Sequence, residues 1–376
     1  MGQSLQEIIA LYNPAAPLEQ ASTIPASWYV DTRMAELEQQ TVFGRNWLVA
    51  GRADQVTAPG AYFTTEAAGE PVVVVRGNDR VLRAFFNVCR HHAATVMPEP
   101  CGKTEHLRCP YHGWTYGLDG ALKGMTEFEG VANFDRSRNG LVPVQVDIWE
   151  KFVFVNLDPH AGTLRDFLGG LARMVQPLAL EQLHFLDRRE YTLDCNWKVY
   201  VDNYLDGGYH VPFMHKGLNS VIDFKEYMIR NEDRYCEQSS PMRSENASDA
   251  MTGATRRGER AYYLWQYPNF MLNWYEGVMD TNLVLPLGVD RCRVIFDFYF
   301  AQTDEESNQR NRQSIEVSGR VQDEDEAVCV SVQRGLKSRA YVAGRLSVRR
   351  EAGEHLFHRL LHADLKGGVT ATRAAD

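Results

Sequence analysis

Two short stretches of the chain each offer one thiolate and one imidazole: Cys89-Arg90-His91 and, after 17 intervening residues, Cys109-Pro110-Tyr111-His112. Two such loops facing each other can enclose a dinuclear iron–sulfur cluster, with both cysteines on one iron and both histidines on the other. Neutral imidazoles in place of two thiolates leave such a cluster less negative, so its reduction potential rises. The plain alternative is a structural zinc site. Zinc fingers, however, pair Cys with Cys and His with His within each half, whereas here each half mixes the two. Gly102 and Gly113 give the backbone turn freedom near the loops. Trp114 and Tyr116 are placed to shield the sulfurs, and His92 reads as a neighbour of the cluster. Cys101, Cys195, Cys236, Cys292 and Cys329 lack any paired ligand spacing and read as packing residues.

A second group of metal-binding residue types lies between Asn196 and His215, where Asp202, Asn203, Asp206, His210 and His215 fall within one segment. In a regular helix, side chains five residues apart diverge by about 140°. Pro212 breaks the ladder between the two histidines, so a bent chain could turn both imidazoles onto one ion. Two histidines and one carboxylate on one face of iron leave the remaining positions open. The carboxylate must come from elsewhere. Val321, Asp325, Val328, Val332 and Leu336 follow helical spacing and predict one apolar stripe with Asp325 in its middle. Asp323 and Glu326 point away from that stripe, and Glu324 sits at its edge. A carboxylate facing a core needs a partner. A metal is one, and an arginine or hydrogen-bond donors are the others. Asp323 is the second choice for the ligand.

The stretch from Tyr262 to Tyr275 is dense in rings. Strand alternation would split them between two faces, and one face could line the iron pocket. Trp265, Tyr267, Phe270, Asn273 and Tyr275, with Asn203, are the candidate pocket residues; plain sheet core is the alternative. Ring faces attract a quaternary ammonium by cation–π interaction, roughly 2 kcal/mol when desolvated. The same rings would suit an aromatic substrate.

The elements that must position these groups follow from patterning. A short helix is expected over 5–12 and another over about 32–42. From Trp47 to about residue 159 short strands alternate with Gly and Asp/Asn turns, including Asp119-Gly120, as in a small all-β module. A helical stretch follows over 163–177. Then come an aromatic strand pair near 262–275, a strand near 291–301, a long helix from about 304 to 338, and a Gly- and Ala-rich end expected to fray. The fold class is α+β: an all-β domain at 46–160, a larger domain at 161–376 with an antiparallel sheet flanked by helices, and an N-terminal helical segment, 1–45, packing on the larger domain.

The chain has 376 residues and a formal net charge of −9, with no basic face that would suit nucleic acid. No apolar run is long enough to span a bilayer, and the start lacks both a secretory pattern and a myristoylation signal. Seven cysteines in a chain this long fit a reduced cytoplasmic setting.

The Cys89-Arg90-His91 and Cys109-Pro110-Tyr111-His112-Gly113-Trp114 segments resemble the Rieske motif of ring-hydroxylating and related oxygenases. Many relatives carry Gly where this chain has Ala93. Asp202-Asn203 through His215, and Gln322 to Asp325 followed by Val332-Gln333-Arg334-Gly335-Leu336, are similar to plant choline monooxygenases, over residues 40 to 365 or so. The resemblance implies a [2Fe–2S] cluster on Cys89, His91, Cys109 and His112, and a mononuclear non-haem Fe(II) on His210, His215 and Asp325. It makes Asp206 the acid that links a cluster histidine of a neighbouring subunit to an iron histidine. In many relatives that acid lies three residues before the first histidine. Here Asp206 lies four before, with Gly207-Gly208 between, and Asp202 is the substitute. It implies a head-to-tail homotrimer and a separate flavin/iron–sulfur reductase passing on electrons from NAD(P)H. No nicotinamide fingerprint occurs in the chain itself. It implies O2-dependent hydroxylation of a small trimethylammonium compound of the choline, betaine or carnitine type. An oxygenase of aromatic rings or acids, a non-catalytic Rieske electron carrier and a structural metal protein are the alternatives. Plant relatives carry a chloroplast targeting segment, and the early start of the domain here favours a bacterial cytoplasmic protein.

Overall fold

A computed structural model describes residues 3–243 and 250–375. Two compact units emerge, one from Gln39 to Phe167 and one combining Met1–Glu38 with Leu168–Asp376.

The first unit is mainly β, with a few short helical turns. A seven-stranded antiparallel sheet runs in the order Leu48–Arg52, Phe152–Asn156, Pro143–Trp149, Leu82–Phe86, Glu70–Arg76, Ala61–Ala67, Cys101–Lys103, and a three-stranded sheet joins Leu107–Arg108, Thr115–Tyr116 and Leu122–Gly124. The strand Glu70–Arg76 carries four consecutive valines, Val72 to Val75, all fully buried, as a central strand covered on both faces requires. Cys89, Cys109, Trp114 and Tyr116 belong to the same core cluster as Val73, Phe85 and Leu107, so the Cys/His loops are rooted in the packed interior.

The second unit is built on a seven-stranded antiparallel sheet in the order His184–Leu193, Arg291–Phe300, Val278–Gly288, Phe270–Tyr275, Arg260–Gln266, Tyr235–Pro241, Met228–Glu232. Three helices matter for the site: Trp197–Leu205, Glu305–Leu336 and Ala352–Ala375. The first opens on Asn196, whose side chain accepts from the Lys198 N–H, a regular N-cap. It is anchored by a buried ion pair, Lys198 Nζ to Glu38 Oε1 at 2.6 Å, while Trp197 Nε1 donates to Glu38 Oε2 at 2.7 Å.

Two expectations need correction. The stripe through Val328 and Val332 is not the buried face of the long helix, because Val332 is 44 % exposed. The buried face instead carries Asn311, Ser314, Ser318, Gln322, Cys329, Gln333 and Leu336. Its polar members each have a partner, although the Gln322 and Gln333 amide nitrogens find none among the described residues. Gln322 accepts from the Tyr200 hydroxyl at 2.7 Å, Gln333 from the Asn196 N–H at 2.9 Å, and Ser318 from Arg256 at 2.6 Å. Polar side chains with partners bury at little cost, so apolar spacing alone misjudged the helix rotation. The C-terminal segment does not fray where its composition suggested. The helix Ala352–Ala375 runs into it, led by a buried stripe of Phe357, Leu361 and Leu365, each 0 % exposed, at i, i+4, i+8.

Candidate metal centres

The two Cys/His loops share one backbone pattern. Cys89 N–H donates to Ala94 O at 2.8 Å and Ala93 N–H to Cys89 O at 3.0 Å; Cys109 N–H donates to Trp114 O at 2.9 Å and Gly113 N–H to Cys109 O at 3.1 Å. Each loop therefore turns through a residue with positive φ at the same place: Gly113 at 72° and Ala93 at 58°. The left-handed conformation costs a residue with a Cβ about 1–2 kcal/mol, which is the physical reason a glycine suits that position. The loops bring His91 and His112 to a ring separation of 4.8 Å, with Cys89 and Cys109 buried behind them. Trp114 stacks on His91 at 4.7 Å, and the Tyr116 hydroxyl lies 3.3 Å from Cys89 Sγ while accepting from the Arg90 N–H. His112 and His92 are exposed beside exposed Tyr111. Burial, with the neighbouring Cys89 sulfur, raises the Cys109 thiol above its ordinary value.

In the second unit, helix Trp197–Leu205 ends at Asp206, and Gly207 and Gly208, both at positive φ, turn the chain toward His210. A Cβ on Gly207 would meet Arg350 O at 2.1 Å, so only glycine fits there. Asp206 caps this turn, accepting the Tyr209 and His210 N–H groups at 3.0 and 3.1 Å, and its Oδ2 lies 2.6 Å from His210 Nδ1. The short helix Val211–Met214, with Pro212 in its first turn, ends at His215, whose non-helical φ of −98° and ψ of 71° swing its ring inward. The two imidazoles stand 4.8 Å apart at 87°. Asp325 Oδ1 completes the group, 3.1 Å from His215 Nε2 and 3.8 Å from His210 Nε2, and Asn203 Nδ2 donates to the same oxygen at 2.8 Å. One donor atom from each of His210, His215 and Asp325 lies within 4.8 Å of the others.

Glu324, unremarked in the sequence beyond its place at a helix edge, lies 2.5 Å from His215 Nδ1. Burial alone would depress His215, but the Asp325 and Glu324 carboxylates overcome it and hold the imidazole above its ordinary value. Asp202 lies outside this group. It accepts from the Tyr29 hydroxyl at 2.5 Å and lies 3.0 Å from His358 Nε2, beside buried Glu354.

A cavity of about 110 Å³ opens beside the triad. Of the candidate pocket residues, Asn203, Asn273 and Tyr275 line it, whereas Trp265, Tyr267 and Phe270 do not. Trp265 and Tyr267 pack on Phe357, at 5.6 and 6.5 Å between rings, under the C-terminal helix. Phe270 is three positions from Asn273 on one strand, so pleating puts it on the other face. Their places are taken by Tyr204, Tyr227 and Tyr263. Tyr263 stacks over Tyr227 at 6.3 Å, and its hydroxyl lies 3.0 Å from that of Tyr275. Tyr263 was legible, because it pairs directly with Asn273 across the strands; Tyr227 has no such signal. Burial holds all four phenols above the ordinary value, so they stay neutral. Arg256 and Asp280 also line the cavity, 4.0 Å apart.

Residues 46–135 match the Rieske [2Fe-2S] domain, and residues 180–367 match the catalytic domain of the ring-hydroxylating alpha subunit. The chloroplastic choline monooxygenase of Arabidopsis thaliana is 40 % identical over 375 residues, covering 96 % of this chain and 87 % of that protein. The chain belongs to the Rieske non-haem iron monooxygenases. The oxygenase subunit of carnitine monooxygenase from Escherichia coli K12 is 33 % identical to this oxygenase, covering 88 % of each. The structure of the quaternary ammonium Rieske monooxygenase CntA in complex with L-carnitine superimposes with a TM-score of 0.80 at 28 % identity, over 97 % of this chain and 99 % of that one. Naphthalene 1,2-dioxygenase, at 18 % identity and a TM-score of 0.77, shares the fold.

The family implies a Rieske cluster and a non-haem iron, and the residues present in this oxygenase fit both. His91 Nδ1 is buried with no partner among the described residues, as a nitrogen reserved for a metal would be. The second unit supplies two imidazoles and a carboxylate converging at bonding range, each histidine already bonded at its outer nitrogen. Among the described residues no helix is long and apolar enough to cross a membrane.

Proposed function

We propose that this oxygenase hydroxylates a small quaternary ammonium compound of the choline, betaine or carnitine type. Cys89, His91, Cys109 and His112 would hold the [2Fe–2S] cluster; His210, His215 and Asp325 would hold the mononuclear iron. The observation that carries the reading is the cavity beside the triad, walled by Tyr204, Tyr227, Tyr263 and Tyr275 and about 110 Å³ in size. A cavity of roughly 150 Å³ takes one benzene, so the size argues against fused rings, and the choice of an ammonium compound rests on the ring walls. Neutral phenol rings attract a cation by their faces without charge of their own. The relatives named for choline and carnitine support the same choice.

The iron, when bound, supplies O2 activation. One oxygen atom enters the substrate and the other leaves as water, with two electrons and two protons consumed. The chain's own residues do the rest. Tyr204, Tyr227 and Tyr263 seat the ammonium group, the Tyr275 ring already carrying the Arg256 guanidinium at 4.7 Å, and Asn203 holds the Asp325 carboxylate in place at 2.8 Å. Asp206 orients His210 through Nδ1 and forms the bridge from the cluster histidine of a neighbouring subunit in a homotrimer. Electrons originate in NAD(P)H and arrive through a separate flavin/iron–sulfur reductase. The seven free cysteines support a reducing, cytoplasmic setting.

The test is substrate-dependent O2 uptake with a surrogate reductase, using choline, glycine betaine, carnitine and benzoate, with product analysis. Turnover of a quaternary ammonium compound is expected; turnover of the aromatic acid alone would overturn the reading. Choline's neutral isostere, 3,3-dimethylbutan-1-ol, should bind roughly 30-fold more weakly than choline, the equivalent of a desolvated cation–π contribution of about 2 kcal/mol. Asp206→Asn should keep both metal centres and the shape of the turn while slowing discharge of the reduced cluster about 10–100-fold, the usual cost of losing an outer partner of a ligand histidine. Stopped-flow reoxidation of the cluster measures it, and an unchanged rate would remove Asp206 from the path.

A further inference from the structure

We infer that Glu324 is a second positioning acid of the iron site, which fixes His215 from the long helix as Asp206 fixes His210 from its own segment. The inference rests on the assignment of His210, His215 and Asp325 to iron. Glu324 and Asp325 are consecutive on helix Glu305–Leu336, where neighbouring side chains diverge by about 100°. They nevertheless reach the same imidazole. Glu324 Oε2 lies 2.5 Å from Nδ1 and Asp325 Oδ1 lies 3.1 Å from Nε2. The ring stands across the helix surface and is gripped at both nitrogens.

This arrangement has two consequences. The first concerns the tautomer. A carboxylate can only accept, so the contact at Nδ1 keeps a ring hydrogen there, and Nε2, which faces the Asp325 carboxylate at 3.1 Å, is the nitrogen left to give up its hydrogen and offer a lone pair to the ion. The second concerns distance between elements. His215 is carried by a short bent segment and Asp325 by a helix 110 residues further along. Glu324 links them outside the metal, so the spacing of two ligands is set before the ion arrives. Asp206 cannot do this, being four residues from His210 on the same stretch of chain. His215 has a side chain only 1 % exposed, while that of Glu324 is 47 % exposed. Removing Glu324 therefore opens no core cavity, and a loss of metal affinity would not be a by-product of unfolding.

The experiment measures Fe(II) affinity by chelator competition in the full-length holoprotein, for the wild type, Glu324→Ala, Glu324→Gln and Asp323→Ala. Asp323 is exposed on the same helix and controls for the simple loss of a nearby charge. The visible cluster spectrum and the Tm serve as internal controls. Glu324→Ala should bind the chelatable iron about 10–100-fold more weakly, with cluster spectrum and Tm unchanged. Glu324→Gln should fall between, because its amide oxygen still accepts from Nδ1, and Asp323→Ala should match the wild type. Affinity in Glu324→Ala within about twofold of the wild type overturns the inference, as does an equal loss in Asp323→Ala, which would mean general electrostatics. A wild-type protein with no chelatable iron beyond its cluster overturns the iron assignment itself, and this inference with it.

Discussion

Anaerobically purified His210→Ala should retain the visible spectrum of the Rieske cluster and about two irons per chain, against about three irons and two sulfides in the wild type, with turnover reduced to background. The separation follows from where the groups lie. The four cluster residues belong to one unit, with Cys89 and Cys109 in its core, and His210 belongs to the other. Truncating His210 removes one of three donors within 4.8 Å of one another. It also leaves Asp206, normally 2.6 Å from His210 Nδ1, without its imidazole. Neither residue is part of the loops at Cys89 and Cys109. His210 is half-buried at the end of a turn, not in the core, so its loss should cost little stability. Iron and acid-labile sulfide analysis beside the visible spectrum decides it. Two irons in both proteins despite ferrous supplementation would sink the mononuclear site and revive the electron-carrier reading.

The cluster loops were legible because their information is local. Ligands two or three residues apart in a turn fix their own geometry, and even the Ala93 departure maps to one backbone angle of 58°. The iron histidines were half legible, since Pro212 announced a bend but not its direction. Asp325 was picked out by a helical stripe that proved to be rotated, and it still lies 3.1 Å from His215 because it borders the buried face on either reckoning. The pocket was least legible. Trp265, Tyr267 and Phe270 looked equivalent to Tyr263 and Tyr275 in composition; pleating sets Phe270 apart, and the C-terminal helix sets apart the other two. Phe357 covers Trp265 and Tyr267, a contact about 90 residues away in sequence. Glu324 was overlooked because hydrophobic periodicity says nothing of a half-exposed acid reaching back to an imidazole.

Lys198→Met should destabilise the catalytic unit by about 3–5 kcal/mol, lowering its Tm on the order of 10 °C. Lys198 Nζ and Glu38 Oε1 are 2.6 Å apart with side chains 0 and 2 % exposed, so methionine leaves a buried carboxylate with the Trp197 side-chain N–H as its remaining donor among the described residues. Burial already presses the Lys198 ammonium below its ordinary value, with Glu38 opposing it, so the pair is held together against a real desolvation cost. Breaking a buried pair costs far more than the pair contributes. The double replacement Glu38→Met with Lys198→Met should therefore recover most of the loss, and a double-mutant cycle measures the coupling. The consequence reaches the site, because the anchored helix Trp197–Leu205 presents Asn203 to Asp325 and ends at Asp206. The single variant should accordingly release its mononuclear iron faster than the double one, while the cluster spectrum stays the same in both. Equal melting of wild type and Lys198→Met would show that the buried pair is not what holds this helix in place.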